Sequence, residues 1–203
     1  MVFTKLLRGE GNFLSELSKN RKIIVEIGSF EGGSTLKLAK NPNCKVYAID
    51  PHLEGSFNKF KQNIRNYKNI VPIIKKSEDA IDDVTEKIDF LFIDGSHKYD
   101  DVLKDFILWS PKVRDGGIVA FHDSYNIEDV RKVVIEKLYL SKNFKVGRFR
   151  SIAYGIKIKI NILDAIANRI KLIHLLIYGI WRVKIRRKIS KIYKMFQRMI
   201  KND

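Results

Sequence analysis

The chain has 203 residues, 45% of them hydrophobic and 31% charged, the composition of a soluble globular protein with one domain and room for a short appendage. Its one cysteine, Cys44, excludes an internal disulfide framework and an all-cysteine metal site, and fits a reducing compartment. The net charge of +16 is uneven: from Ile156 onward 13 Lys/Arg face only Asp164 and Asp203, while the preceding 155 residues carry 26 basic and 21 acidic side chains, so an anionic partner is expected to meet the C-terminal segment.

Met1 to Arg8 lacks the apolar core and cleavage site of a signal peptide, and a cytoplasmic location is expected. Residues 9–22 read as a short amphipathic lead-in helix with Phe13, Leu14 and Leu17 on one side. Ile23-Ile24-Val25 is a β-branched run and predicts a buried strand. A glycine-rich turn follows, then a helix to about Lys40 and a second strand, Lys45 to Ile49, that ends in Asp50. Residues 55–67 predict a helix, and Ile70 to Ile74 a strand that Pro72 pushes toward a sheet edge. Ser77 is placed to cap a further helical turn. Ile88 to Ile93 is a strand ending in Asp94-Gly95, and Tyr99 to Trp109 is a helix. Asp115-Gly116-Gly117 is expected to break the chain before a fifth strand, Ile118 to Phe121, which ends in His122-Asp123. Residues 127–140 read as a helix, and Phe144 to Phe149 with Ile152 to Lys159 as an antiparallel closing pair, since Arg150-Ser151 is too short for a parallel crossover. Strands alternating with helices predict an α/β fold, a mostly parallel sheet covered on both faces, over residues 1–160.

The turn after the first strand carries the chemistry. Glu26-x-Gly28-x-x-x-Gly32-Gly33 is neither a P-loop nor G-x-G-x-x-G, but it places glycines where backbone must come close to a ligand and opens onto a helix N-terminus. Asp50, at the tip of the next strand, can accept hydrogen bonds from both hydroxyls of a ribose. Together they read as a site for an adenosine-containing cofactor; the structural alternative is a glycine-rich turn with no ligand. Glu26, Asp50, Asp94, His97, His122 and Asp123 gather at the carboxyl ends of the strands, where open parallel sheets bind their ligands.

At Glu26-x-Gly28-x-x-x-Gly32, Asp50, Ile93-Asp94-Gly95-Ser96-His97-Lys98-Tyr99 and Gly116-Gly117-Ile118-Val119-Ala120-Phe121-His122-Asp123, the chain resembles class I S-adenosylmethionine (SAM)-dependent methyltransferases. Within them it is most similar to the macrocin-type sugar O-methyltransferases and cephalosporin-hydroxylase-like enzymes, over residues 20–158. The resemblance implies a Rossmann-like, doubly wound seven-stranded sheet closed by the antiparallel hairpin. It implies that Glu26, Gly28, Ser29 and Gly32 hold the methionine end and backbone of SAM, Asp50 its ribose, and Lys76 and Ser77 its adenine, with Asp94 serving both cofactor binding and catalysis. It also implies a divalent metal on Asp94 and Asp123 that chelates a sugar diol, with His97 as general base; hard oxygen ligands favour Mg²⁺. These relatives often carry a second carboxylate after the Asp123 position, where this chain has Ser124; two carboxylates with waters could still hold Mg²⁺. His97 has a structural reading as a helix cap. His122 is expected to orient Asp94 or Asp123, Tyr99 either orients His97, lines the pocket or packs, and His52 lies at the cofactor rim.

The expected activity is methyl transfer from SAM to a hydroxyl of a sugar-like or other small or amphiphilic acceptor. The alternatives are a methyltransferase for RNA or a phenolic substrate, and a SAM-binding scaffold without turnover. The Asn/Asp-Pro-Pro-aromatic motif of base methylation is missing. Beyond the core, residues 161–203 read as a basic helical extension: Leu172 to Trp181 is uncharged but too short to span a bilayer, and Arg182 to Lys201 spaces apolar residues as an amphipathic helix bearing interfacial Trp181 and Tyr193 nearby. An anionic membrane surface is the partner expected for it, ahead of the core or a second copy of the chain, and then nucleic acid.

Overall fold

The computed structural model describes residues 5–53 and 55–177, so the run from Arg182 to Lys201 lies outside the described residues. Strands β1 (Ile23–Ile27), β2 (Lys45–Ile49), β3 (Ile70–Ile73) and β4 (Ile88–Ile93) are parallel, with β1 between β2 and β4. All six residues of β4 are buried, because helices cover both faces of the sheet. On the far side of β4 come β5 (Val113–Phe121), β7 (Ile152–Lys157) and β6 (Phe144–Phe149), giving the order β3-β2-β1-β4-β5-β7-β6. Among the described strands β7 alone runs against the others, pairing antiparallel with both β5 and β6. This is the seven-stranded Rossmann-like sheet with a closing hairpin that the sequence implies. Strand order reverses between β1 and β4, and the crevice beyond their carboxyl ends is where the site forms.

Alternate residues of the strands feed two cores. Val25, Leu91, Val119 and Phe121 pack with Trp109 of α4 (Tyr99–Trp109) and with Val130 and Val133 of α5 (Glu128–Val134). Ile24, Phe90, Phe92 and Ala120 pack with Leu14 of α1 (Glu10–Ser18), Leu38 of α2 (Thr35–Leu38) and Phe60 of α3 (Phe57–Ile64).

Several boundaries differ from the sequence reading. The lead-in helix starts at Glu10, after Gly9 at φ 89°, and stops at Ser18. Helix α2 ends at Leu38, and just beyond it the Asn69 side-chain amide donates to the carbonyls of Ala39 and Asn41, both at 3.0 Å. The glycine pair does not break β5. Gly116 adopts φ 74° and the extra residues bulge, the register jumping from Ile88↔Val113 to Phe90↔Ile118. Ser77 does not cap: Ser77–Asp83 is a 3₁₀ segment entered from extended Lys76, and the Ser77 hydroxyl donates instead to the Asp105 carboxylate. Helix α5 runs on as a π-helical turn, Ile135–Tyr139.

Residues 162–177 form a sixth helix, α6, docked against the sheet. Asn168, 1% exposed, accepts the Val146 N–H at 3.1 Å and donates to the Phe144 carbonyl at 2.8 Å, and Lys171 donates to the Val146 carbonyl at 2.6 Å. These are outer-edge groups of β6, a sheet edge that would otherwise offer unpaired amides to other chains. The first part of the C-terminal extension is thus built onto the domain.

Candidate active site

The glycine turn is shaped by its neighbours. Gly28 stands at φ 91°, its N–H donates to the Ile49 carbonyl at 2.8 Å, and a Cβ there would collide with the Asp94 carbonyl and the Gly95 Cα. Only glycine allows β1 and β4 to meet so closely. Gly32, at φ 88°, packs toward Phe60. Asp50 braces the same turn: its carboxylate accepts the N–H of Phe30 at 2.8 Å and of His52 at 2.7 Å, and both residues are held at positive φ, 44° and 50°. Each oxygen keeps a further lone pair, so a ribose can still be received there.

Glu26 lies beneath the turn rather than on the cavity wall. It is fully buried; one oxygen accepts the Thr35 hydroxyl at 2.5 Å, while Oε1 finds no partner among the described residues. Burial pushes its pKa up to about 8, with Asp94 and Asp50 adding to the effect and the Ser34 and Thr35 hydroxyls opposing it. The buried Ser29 hydroxyl also lacks a partner among the described residues.

Ser29, Asp50, Lys76, Ser77, Asp94 and His97 line one open cavity of ≈ 680 Å³. His52 lines it too, with its ring beside Phe57 and Phe60 at 5.3 and 5.0 Å and its Nδ1 2.8 Å from the Ser56 hydroxyl. Asp105, which the sequence reading passed over, forms part of the wall; burial raises its pKa to about 6 against the Ser77 hydrogen bond.

At the other end of the cavity His122 sits among three carboxylates. Its Nδ1 is 3.0 Å from Asp94 Oδ1 and 3.3 Å from Asp123 Oδ2, and its Nε2 is 3.1 Å from Glu10 Oε2. Ionised carboxylates only accept, so both ring nitrogens carry protons and the ring is an imidazolium. Burial opposes that charge, but the hydrogen bonds the ring donates to Asp123, Asp94 and Glu10 outweigh it and lift the pKa to about 12. The same bond to His122 holds Asp123 below the usual range, whereas burial pushes Asp94 up. Glu10 was not legible as a site residue. Fully buried at the start of α1, it also accepts the N–H and hydroxyl of Ser151 at 2.9 and 2.6 Å and the N–H of Leu7 at 2.7 Å.

His97 is more open, its side chain 46% exposed, with Nε2 3.3 Å from Asp123 Oδ2. Tyr99 points elsewhere, its hydroxyl donating to Glu136 at 2.8 Å, so it neither orients His97 nor enters the cavity. Ser124 turns away as well: it is 2% exposed and its hydroxyl donates to the Ser151 carbonyl at 2.6 Å, so it offers nothing to a cation at Asp123.

The ligand atoms of Asp94, His97 and Asp123 lie within 4.8 Å of one another. Two carboxylates beside one imidazole suit a hard divalent cation that keeps several waters. For the cofactor, the unpartnered Ser29 hydroxyl, the Gly28 close approach and the Asp50 carboxylate fit a polar ligand laid across the turn.

Comparison with known proteins bears on the domain and its fold. Residues 25–124 match a family model described as a methyltransferase domain. Protein R132 of Acanthamoeba polyphaga mimivirus is 34% identical over 123 residues, 55% of this chain and 56% of that protein; the chain thus spans about half the length of this curated relative. Among solved structures, the O-methyltransferase TomG of Streptomyces achromogenes, in complex with SAM, superposes with a TM-score of 0.65 at 15% identity, covering 75% of this chain and 81% of that one. An O-methyltransferase of Bacillus cereus in complex with SAH gives 0.63 at 17% identity, covering 75% and 83%. At these identities the likeness is one of fold. Residues 25–124 thus match a methyltransferase domain, and the chain has the fold of these solved O-methyltransferases, the class I SAM-dependent methyltransferase fold.

Proposed function

We propose that the protein methylates a hydroxyl of a small, sugar-like acceptor with SAM as donor. One observation carries this reading: Asp94, His97 and Asp123 converge on the cavity that the glycine turn and Asp50 also line. Bound SAM supplies an electrophilic methyl group on its sulfonium. Asp50, Ser29 and the Gly28 turn bind and orient it, Lys76 and Ser77 flank its far end, and Glu26 supports the turn from below.

His97 takes the acceptor proton. Asp123, whose carboxylate stands 3.3 Å from Nε2, steadies the ring as its charge develops. Transfer of that methyl to the acceptor oxygen would give a methyl ether and S-adenosylhomocysteine, with the hydroxyl proton left on His97. Mg²⁺ held by Asp94 and Asp123 would lower the hydroxyl pKa and fix the oxygen in place. The His122 imidazolium favours the ionised form of both carboxylates and aligns them, and Glu10 keeps His122 in place.

The test is formation of S-adenosylhomocysteine from SAM against a panel of glycan and sugar hydroxyl acceptors, with Mg²⁺ and with chelator. Turnover on a sugar hydroxyl that disappears in Asp94→Ala supports the reading. Turnover only on an amine, a phenol or RNA would overturn the acceptor class.

A further inference from the structure

Helix α6 is apolar on two opposite sides. One side is docked, with Asn168, Leu172 and Leu175 buried against the sheet. On the other side Ile162, Ile166, Ile170, Ile173 and Ile177 recur every three or four residues, with Leu163 beside them, and each of the six is 50–76% exposed. A surface helix of a globular domain normally keeps one apolar stripe and turns polar residues to water. Branched side chains gathered on the water side form a patch that needs a cover.

Charge decides which cover. The sequence that continues from this helix, residues 178–203, holds nine Lys/Arg and one acid, Asp203. A second copy of the chain carries the same basic sequence and so adds like charge to like. An anionic bilayer offers hydrocarbon to the isoleucines and negative headgroups to the basic residues that follow. None of the described helices is long and apolar enough to cross a membrane, and a helix with one face fixed to the domain can only lie in the interface. We infer that residues 162–177 lay their isoleucine face into the surface of an anionic lipid bilayer, with the domain held against it through Asn168, Leu172 and Leu175. The inference does not depend on methyl transfer.

Flotation of the full chain with vesicles tests it. The chain rises with phosphatidylcholine vesicles containing about 30% phosphatidylserine, rises less as salt is added, and stays behind with pure phosphatidylcholine. Changing Ile166, Ile170 and Ile173 to Asp lowers affinity about tenfold or more without shifting the thermal midpoint, since all three are exposed. Ile170→Asp alone gives a smaller loss in the same direction and serves if the triple variant folds poorly. A full chain that stays unbound with the anionic vesicles, whether monomeric or dimerising through this face, would overturn the inference. So would a triple variant that floats like the parent.

Discussion

Glu10 and His122 stand 112 positions apart in the chain and meet at 3.1 Å, carboxylate to imidazolium, inside the protein. Through this contact the first helix reaches the end of β5. The opposite edge of the same imidazole carries Asp94, so the lead-in helix belongs to the support of the site rather than to its surroundings.

Removing Glu10 leaves a buried imidazolium short of one partner. Glu10→Ala is expected to lower unfolding stability by about 3–5 kcal/mol. Urea denaturation at pH 6 reads this directly, and a change under about 1 kcal/mol would show that the pair is not buried as described.

The pH dependence has a worked sign. Glu10 is held at about 2 against an ordinary 4.5, burial opposing and the bonds from His122, Ser151 and Leu7 prevailing; its contribution is present above about pH 4.5 and is lost toward pH 2. His122 is raised from 6.5 to about 12, so its contribution is whole below pH 6.5 and declines as pH rises above it. Glu26, lifted from 4.5 to about 8 by burial, keeps its proton when folded and loses it when unfolded, which lowers stability progressively from pH 4.5 to 8. In chelator the thermal midpoint should therefore fall between pH 6.5 and 9, and Glu26→Gln should flatten the decline between 4.5 and 8. An unchanged slope in that variant would contradict a neutral Glu26.

Gly28→Ala forces a Cβ against the Asp94 backbone at φ 91°. Neither strand can yield without opening the crevice, so S-adenosylhomocysteine binding should fall by at least about a hundredfold, a loss of about 2.7 kcal/mol. Calorimetry of the variant, with circular dichroism to confirm folding, measures it.

Asn168→Ala strips the outer edge of β6 of two hydrogen bonds. The expected cost is about 1–3 kcal/mol, with faster hydrogen exchange at the Val146 amide. Protection unchanged at Val146 would mean that α6 does not hold this edge.

Much of the fold was legible because β1 and β4 are buried on both faces and so read as mostly apolar runs, broken only by Glu26 and Asp89, and because Gly28 and Asp50 serve short-range turn geometry. What depended on distant partners was not. Glu10 looked like an ordinary acid at a helix start, since its partners are His122 and Ser151. Ser124 read as a missing ligand until its bond to the Ser151 carbonyl showed it facing the hairpin. The α6 sequence showed an apolar segment, but only Asn168 on the β6 edge reveals which side is docked and which faces water.

Calorimetric titration of the full chain with SAM and with S-adenosylhomocysteine, with and without Mg²⁺, tests the central claim most directly. The account predicts binding of both at about micromolar affinity, one molecule per chain, and loss of both in Asp50→Ala. No binding of either would contradict it and leave a methyltransferase fold put to another use.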